Sequence, residues 1–306
     1  MKIAITGGFG FIGSSFIEFL NAQGVVDIDI YELEDSFRQW SNLNGAKFSN
    51  IFTQWNSETE YDCVVHLGAY ADPSIKSTKE NWNNNAQFSQ KILAAKAKNI
   101  IIASSAAVYG DTEDFTERNN LRPLNFYAYT KLWIDQKLET HPRAADIYSL
   151  RFFNVYGPKE EFKVGHNSPV YKWLTKRVSA KRVLHLYKST RKMERDFIYI
   201  EDVCKVIWHC MQQTGKGGIY NVGTGISTPW TNLCDMVMAA RKLPHHDQDG
   251  NPNVTVVEMP EALRAAYQYY TCANLDKLRN SLGYSEPFTA IEDGIKKTWE
   301  ILEKSQ

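Results

Sequence analysis

The sequence of 306 residues contains no run of the ~18 apolar residues that a helix needs to cross a bilayer, so a membrane-spanning protein is not expected. It also lacks a surplus of either charge, with 35 Lys and Arg against 35 Asp and Glu. No global field draws the chain to nucleic acid or an anionic membrane, and any anion it binds must be held by local groups. Cysteine is sparse and unpatterned. Cys63, Cys204, Cys210, Cys234 and Cys272 are odd in number and include no C-x-x-C pair, which argues against a disulfide framework and suits packing thiols in a reducing, cytoplasmic compartment. His245 and His246 stand beside Pro244 and Asp247 in a polar, turn-rich stretch without further ligands at metal spacing, so no metal site is expected. Internal repeats, low-complexity tracts and long flexible linkers are likewise missing. Met1 runs straight into the strand-like Lys2–Thr6, leaving no room for a charged and apolar leader.

What is present is ordinary globular material, 43% apolar and 23% charged, at a length that fits one large α/β domain or a large domain carrying a smaller one. The first half alternates short apolar runs with amphipathic stretches, the pattern of a parallel sheet covered on both faces. Lys2–Thr6, Ile28–Tyr31, Cys63–Leu67, Ile100–Ser104 and Ile147–Arg151 read as strands, and Ile12, Phe16, Phe19 and Leu20 recur at helical spacing. After about Tyr156 a charged, Pro- and Gly-punctuated stretch runs to about Arg195, with one expected helix, Val170–Ser179. Asp196–Ile200 and Gly218–Val222 then read as strands around a helix, Glu201–Met211. The expected organisation is therefore 1–156 plus about 196–223 as a dinucleotide-binding domain. About 157–195 plus 224–306 would form a smaller, discontinuous α/β domain for the substrate.

Directly after the first strand comes Thr6-Gly7-Gly8-Phe9-Gly10-Phe11-Ile12-Gly13. Glycines between a strand and a helix permit a tight turn and close approach of backbone to a pyrophosphate, and the helix start supplies free N–H groups and positive dipole. Gly7, Gly10 and Gly13 are thus candidate cofactor contacts. Glu32 ends the second strand, where a carboxylate can accept from an adenosine ribose hydroxyl and favours NAD. Arg38 in the following loop could neutralise a 2′-phosphate, which leaves NAD and NADP both open.

Tyr127-Ala128-Tyr129-Thr130-Lys131 forms Y-x-x-x-K at the start of an expected helix, Ala128–Leu138, with Tyr127 and Lys131 on one face. A phenol is a poor base at neutral pH unless a nearby ammonium stabilises its phenolate, and Lys131 is placed for that. Upstream, Ser104 and Ser105 close a strand and precede Ala106-Ala107-Val108-Tyr109-Gly110, so a hydroxyl lies at a strand's C-terminal end, where α/β sheets bind ligands.

With its glycine turn, Ser-bearing strand end and Tyr-x-x-x-Lys in this order, the sequence closely resembles the extended short-chain dehydrogenase/reductase family. The resemblance implies a Rossmann-type doubly wound parallel sheet and a tightly held NAD or NADP. It makes Tyr127 the general acid/base and gives Lys131 the tuning of that phenol and the nicotinamide ribose. Ser105 would be a hydrogen-bond partner of the reacting hydroxyl. The segment Arg151-Phe152-Phe153-Asn154-Val155-Tyr156-Gly157-Pro158-Lys159-Glu160-Glu161-Phe162-Lys163 is similar to that of ADP-glyceromanno-heptose 6-epimerases, in which a lysine at the position of Lys163 is a second acid/base. Glu194–Tyr199 with Asp202, Tyr220–Gly225, and Tyr267-Gln268 followed by Leu275 and Gly283-Tyr284 also match. Carried over by position, Phe11, Ile12, Asn84 and Val155 would line the cofactor site, together with the partly matching Leu67-Gly68-Ala69-Tyr70-Ala71. Asn154, Arg195 and Tyr267 would contact a nucleotide-sugar. A guanidinium suits the pyrophosphate of such a substrate, the alternative for Arg195 being a salt bridge to Asp196 or Asp202. Val164–Ser189 diverges from the subfamily and runs one residue longer.

The implied activity is inversion of a carbinol by transient oxidation on the bound dinucleotide, in a homo-oligomer without nucleic-acid or membrane partners. A nucleotide-hexose 4-epimerase is the nearest rival, needing Tyr127 and Lys131 but no second base. A 4,6-dehydratase fits less well, because the acidic pair that resemblance requires after the serine is here Ala106-Ala107. An NAD(P)-binding sensor or scaffold is the non-enzyme alternative, and it would be expected to have lost Tyr127 or Lys131.

Overall fold

The computed structural model describes residues 1–70, 78–118, 121–163, 166–176, 184–189, 191–244, 246, 253–264 and 267–304. Ala71, Val164, His245, Asp247 and the stretch 177–183, all drawn into the sequence reading, lie outside these residues. The strands in chain order are β1 (Ile3–Thr6), β2 (Ile28–Tyr31), β3 (Asn50–Phe52), β4 (Tyr61–His66), β5 (Ala97–Ser105), β6 (Ile147–Phe152), β7 (Asn154–Tyr156), β8 (Leu184–Lys188), β9 (Glu194–Tyr199), β10 (Gly218–Val222), β11 (Ser227–Pro229) and β12 (Val254–Glu258).

Seven of them form one parallel sheet in the order β10-β6-β5-β4-β1-β2-β3. The order reverses between β1 and β4, and that switch point opens a crevice at the strands' C-terminal ends. Ile3, Ala4, Ile5, Val64, Val65, Ile100 and Ile101 are buried, as strands covered on both faces require. On one face the helix Phe11–Ala22 buries Phe16, Ile17 and Leu20 and packs against the helix Ile200–Met211. Each such side chain contributes roughly 1.5–3 kcal/mol by leaving water. The doubly wound α/β sheet expected from the sequence is therefore the observed architecture. Among the described residues no helix is long and apolar enough to cross a membrane, and no cluster of three or more His, Cys, Asp or Glu could hold a metal ion. All five cysteines are free, and four of them are buried.

Differences from the expected elements have local causes. The seventh strand, β3, has three exposed residues and neither alternation nor an apolar run to announce it. Thr78–Leu93 is helical but broken by a π-turn at Trp82–Gln87, which shifts the apolar period and hides it behind three asparagines. The helix expected from Val170 begins at Pro169, where Ser168 caps Tyr171 N–H at 3.1 Å, and ends at Thr175. β9, expected with the large sheet, instead lies in a three-stranded sheet, parallel to β7 and antiparallel to β11. β8 and β12 pair in parallel as a third, two-stranded sheet.

The switch point is held together by a buried histidine. His66, 1% exposed, ends β4 and lies between Thr6 Oγ1, 2.6 Å from Nδ1, and Ser89 Oγ, 2.7 Å from Nε2. Ser89 gives its own proton to Asn85 O, so it must accept from Nε2–H. Thr6 Oγ1 accepts from Gly68 N–H and is left to donate to Nδ1. This wire suits a neutral imidazole, since a second ring proton would leave the Thr6 hydroxyl proton without its acceptor. Burial, and secondarily the charge of Lys131, push the His66 pKa down to about 3.

Below the ordinary histidine pKa of about 6.5 the unfolded chain takes up a proton that the fold refuses, so stability falls as pH drops from about 6.5 toward 3. One such group gives a slope of up to about 1.4 kcal/mol per pH unit. Urea denaturation between pH 7.5 and 4.5 is expected to show His66→Gln less stable at neutral pH but flatter with acidification. Parallel curves for the two proteins would mean that His66 accepts its proton in the fold.

Candidate active site

Above this wire the glycine turn and the loop after β4 meet. Gly7 has φ +72°, and a Cβ there would lie 2.6 Å from Gly68 Cα, while one on Gly13 would lie 2.1 Å from Gly7 O. Both positions require glycine, one for its φ and both for the close approach. Gly10 starts the helix Phe11–Ala22 with no side-chain cap, leaving its first amides for an anion. Ile12, Leu67 and Val155 are each partly buried against the same core, while Ala69 is half-buried. Residues of this kind fit a dinucleotide: a glycine turn that excludes side chains, an uncapped helix start and an apolar rim.

Glu32 is where the sequence put it, but its carboxylate already works for the fold. Oε2 accepts from Phe9 N–H at 3.0 Å and Oε1 from Leu33 N–H at 3.1 Å, and burial raises its pKa against those bonds. A carboxylate has lone pairs beyond these two for a ribose hydroxyl. Arg38 is exposed in the turn that follows. Asn84 is half-buried inside the π-turn, and its neighbour Asn85 is the residue that ties the loop. Asn85 Oδ1 accepts from Tyr70 N–H at 2.8 Å, and Nδ2 donates to Tyr70 O at 3.0 Å and Asn81 Oδ1 at 2.9 Å.

The helix Phe126–Glu139 carries Tyr127 and Lys131, and Asn125 caps it by accepting from Ala128 N–H at 2.9 Å. Tyr127 is half-buried and hydrogen-bonded to the Ser105 side chain. Burial raises the phenol's pKa, and the Ser105 bond opposes that rise. Lys131 is buried, and its Nζ donates to Ala103 O at 2.7 Å while standing 5.9 Å from the Tyr127 ring centre. Among the described residues its one hydrogen bond is to Ala103 O, which leaves ammonium protons for a ribose. Burial pushes the Lys131 pKa down to about 8, with the charge of Asp135 acting the other way. Asp135, one turn further along the helix, accepts from Arg151 Nε at 2.8 Å, Ser149 Oγ at 2.6 Å and Ser104 Oγ at 3.2 Å. Arg151 reaches on to Tyr109 Oη at 3.0 Å and Glu117 O at 3.1 Å.

On the opposite wall Arg195 is 7% exposed and lies 5.0 Å from the centre of the Tyr267 ring. Its Nη1 donates to Glu194 O at 3.1 Å. Among the described residues no carboxylate forms an ion pair with it, and burial lowers its pKa. Asp196 and Asp202, the alternative partners, are engaged elsewhere, Asp196 by Thr224, Gly225 and Ala273 and Asp202 by Thr289 N–H and Lys205. Asn154 lies beside this wall, but its amide already donates to Asp196 O at 2.9 Å and Thr271 Oγ1 at 3.2 Å. Gln268 joins the wall to the Ser105 turn, donating from Nε2 to Gly110 O at 2.8 Å and Ala106 O at 3.3 Å. Lys163 is ion-paired with Glu160 at 2.9 Å, and its Nζ lies 5.0 Å from the centre of the Phe11 ring. Sequence reading missed Thr6, His66, Ser89, Asn85 and Asp135, whose partners lie far apart in the chain.

Known proteins resemble this chain over nearly its whole length. An ADP-L-glycero-D-manno-heptose-6-epimerase of Nitratidesulfovibrio vulgaris is 33% identical, over 95% of this chain and 94% of that protein. The crystal structure of the Helicobacter pylori ADP-L-glycero-D-manno-heptose-6-epimerase superposes with TM-score 0.79 at 26% identity, covering 99% of this chain and 96% of that one. A UDP-glucose 4-epimerase of Thermotoga maritima, solved with UDP-glucose, shares the fold with TM-score 0.81 at 22% identity, covering 100% and 99% of the two chains. The profile of the NAD dependent epimerase/dehydratase family matches residues 3–223, and the chain belongs to that family.

Proposed function

We propose that the protein is an NAD-dependent nucleotide-sugar epimerase that inverts an exocyclic carbinol, acting on an ADP-heptose in a cytoplasmic setting where its five thiols stay reduced. The observation that carries this reading is Arg195. A buried guanidinium with no carboxylate partner among the described residues, joined through Tyr267 and Gln268 to the turn that follows Ser105, suits a substrate diphosphate held beside the proton-transfer pair. The identity to heptose epimerases over nearly the full chain supports the substrate. The Glu32 carboxylate at the end of β2 disfavours a 2′-phosphate there and supports NAD over NADP.

Bound NAD supplies the reversible oxidation. Within this reading Tyr127 takes the proton of the reacting hydroxyl and returns one, and Ser105 orients that hydroxyl. Lys131 holds the ribose and contributes positive charge. Lys163 serves the second pose of the rotated ketone, with Glu160 keeping its ammonium in place. That same ion pair favours the rival 4-epimerase reading, in which Lys163 is a structural cation of its loop.

Tyr127→Phe is expected to reduce turnover by roughly 10²- to 10⁴-fold with NAD affinity nearly unchanged, since the hydroxyl moves the proton and the adenosine end is held elsewhere. Lys163→Met separates the two epimerase readings. Net inversion of ADP-heptose followed by proton NMR should stop, while hydride exchange with an aldehyde analogue that needs only Tyr127 continues. Full epimerase activity in this variant would shift the assignment to the single-base 4-epimerase. Arg195→Met should raise KM by roughly 10- to 100-fold, the value of a lost charge-assisted contact to phosphate. An unchanged KM would mean that the diphosphate lies elsewhere.

A further inference from the structure

Gln268 has no role in the chemistry above, yet it sits between the two halves of the site. We propose that Gln268 is a positioning residue for Ser105, strapping the turn that aims the serine hydroxyl to the wall that holds the nucleotide-sugar. The proposal rests on the epimerase reading, because it is Ser105's part in that reaction that the strap serves.

Ser105 closes β5, and its hydroxyl accepts from Ala107 N–H at 3.2 Å, so its direction depends on the tight turn Ala106–Tyr109. Toward the core that turn is fixed by Tyr109, whose hydroxyl donates to Asn221 Oδ1 at 2.6 Å and accepts from Arg151. Toward the cleft it is met by Gln268 Nε2, which binds the carbonyls of Ala106 and Gly110, the two ends of the turn. With two carbonyl acceptors, the amide can face the turn only through its NH2 group. Gly110 has φ +69°, and a Cβ there would lie 1.9 Å from Arg122 O, so the turn is backed closely on its other side. The next residue, Asp111, is held by Arg191 through bonds of 2.9 and 2.8 Å, and Arg191 lies 4.0 Å from the centre of the Tyr269 ring. Three consecutive residues thus divide the work: Tyr267 meets Arg195, Gln268 holds the serine turn, and Tyr269 carries the arginine that holds the turn's exit. A small misplacement of a reacting group is enough to cost turnover.

The test uses full-length protein with NAD bound, as wild type, Gln268→Leu and Gln268→Glu. Both variants remove the paired donors, and the glutamate sets lone pairs against the two carbonyls. Both should lower kcat by about 10- to 100-fold with KM for ADP-heptose within about twofold, the glutamate more severely. The thermal midpoint should stay close to wild type. Hydrogen exchange followed by mass spectrometry should speed up in the peptide spanning 103–111, which carries the amides of Ala107 and Gly110. Unchanged exchange in that peptide overturns the proposal, as does an unchanged kcat or a rise confined to KM. A loss of kcat that merely tracks a falling thermal midpoint also overturns it. If wild type itself inverts no nucleotide-sugar, the epimerase reading fails, and the exchange measurement still decides whether Gln268 holds the turn.

Discussion

The Asp135 carboxylate lies buried between the helix Phe126–Glu139 and strands β5 and β6, taking hydrogen bonds from Ser104, Ser149 and Arg151, and much of the site is built outward from it. Removing a carboxylate and a guanidinium from water costs several kcal/mol each, and their attraction offsets this only when the remaining lone pairs and protons are also satisfied. Here the carboxylate takes three bonds and Arg151 is tied down further. Its Nη1 donates to Tyr109 Oη and Glu117 O, so one carboxylate fixes the helix, the serine strand and the end of the serine turn together. Lys131, one helical turn before Asp135, inherits that placement and reaches Ala103 O. Apolar side chains of similar volume could hold the helix as firmly. They could not tie the helix to Ser104, Ser149 and Arg151 by directed bonds.

The charges of the site also explain why overall composition is silent about function. With equal numbers of acidic and basic residues, the chain offers no long-range attraction to a phosphate. The proposed anion sites withhold partners locally. The helix Phe11–Ala22 begins at a glycine that cannot cap it, and among the described residues no carboxylate forms an ion pair with the buried Arg195. These two devices differ in kind, one made of backbone amides and one of a planar fork.

What could be read in the sequence follows from how far apart the interacting residues are in the chain. Gly7, Gly13, Tyr127 and Lys131 are legible as candidates because their geometry is local, a turn or one helical repeat. The large sheet was legible because its inner strands are buried on both faces and read as apolar runs. The wire from Gly68 through Thr6, His66 and Ser89 to Asn85 was not, because it joins β1, β4 and a π-turn that pattern reading cannot pair. For the same reason the sequence does not show that Asn85, beside the candidate Asn84, ties the loop, or that the Asn154 amide donates to Asp196 O and Thr271. β9 was misplaced because an apolar strand does not reveal its sheet.

The loop that carries Lys163 is organised by a second buried carboxylate, Glu160, which is fully shielded from solvent. Its oxygens take bonds from Gly157 N–H, Ser168 N–H and Ser168 Oγ as well as from Lys163 Nζ. Ser168 in turn caps the helix Pro169–Thr175, so the carboxylate joins the start of the loop to the helix that ends it. Three of the four donors belong to backbone or serine and remain when the lysine is exchanged for an apolar residue. Lys163 itself is about one-third exposed, so its charge is not sealed in with the carboxylate. Most of the loop's frame is therefore bonded without the ammonium, while exchanging Lys163 would leave the buried Glu160 carboxylate without this counter-charge.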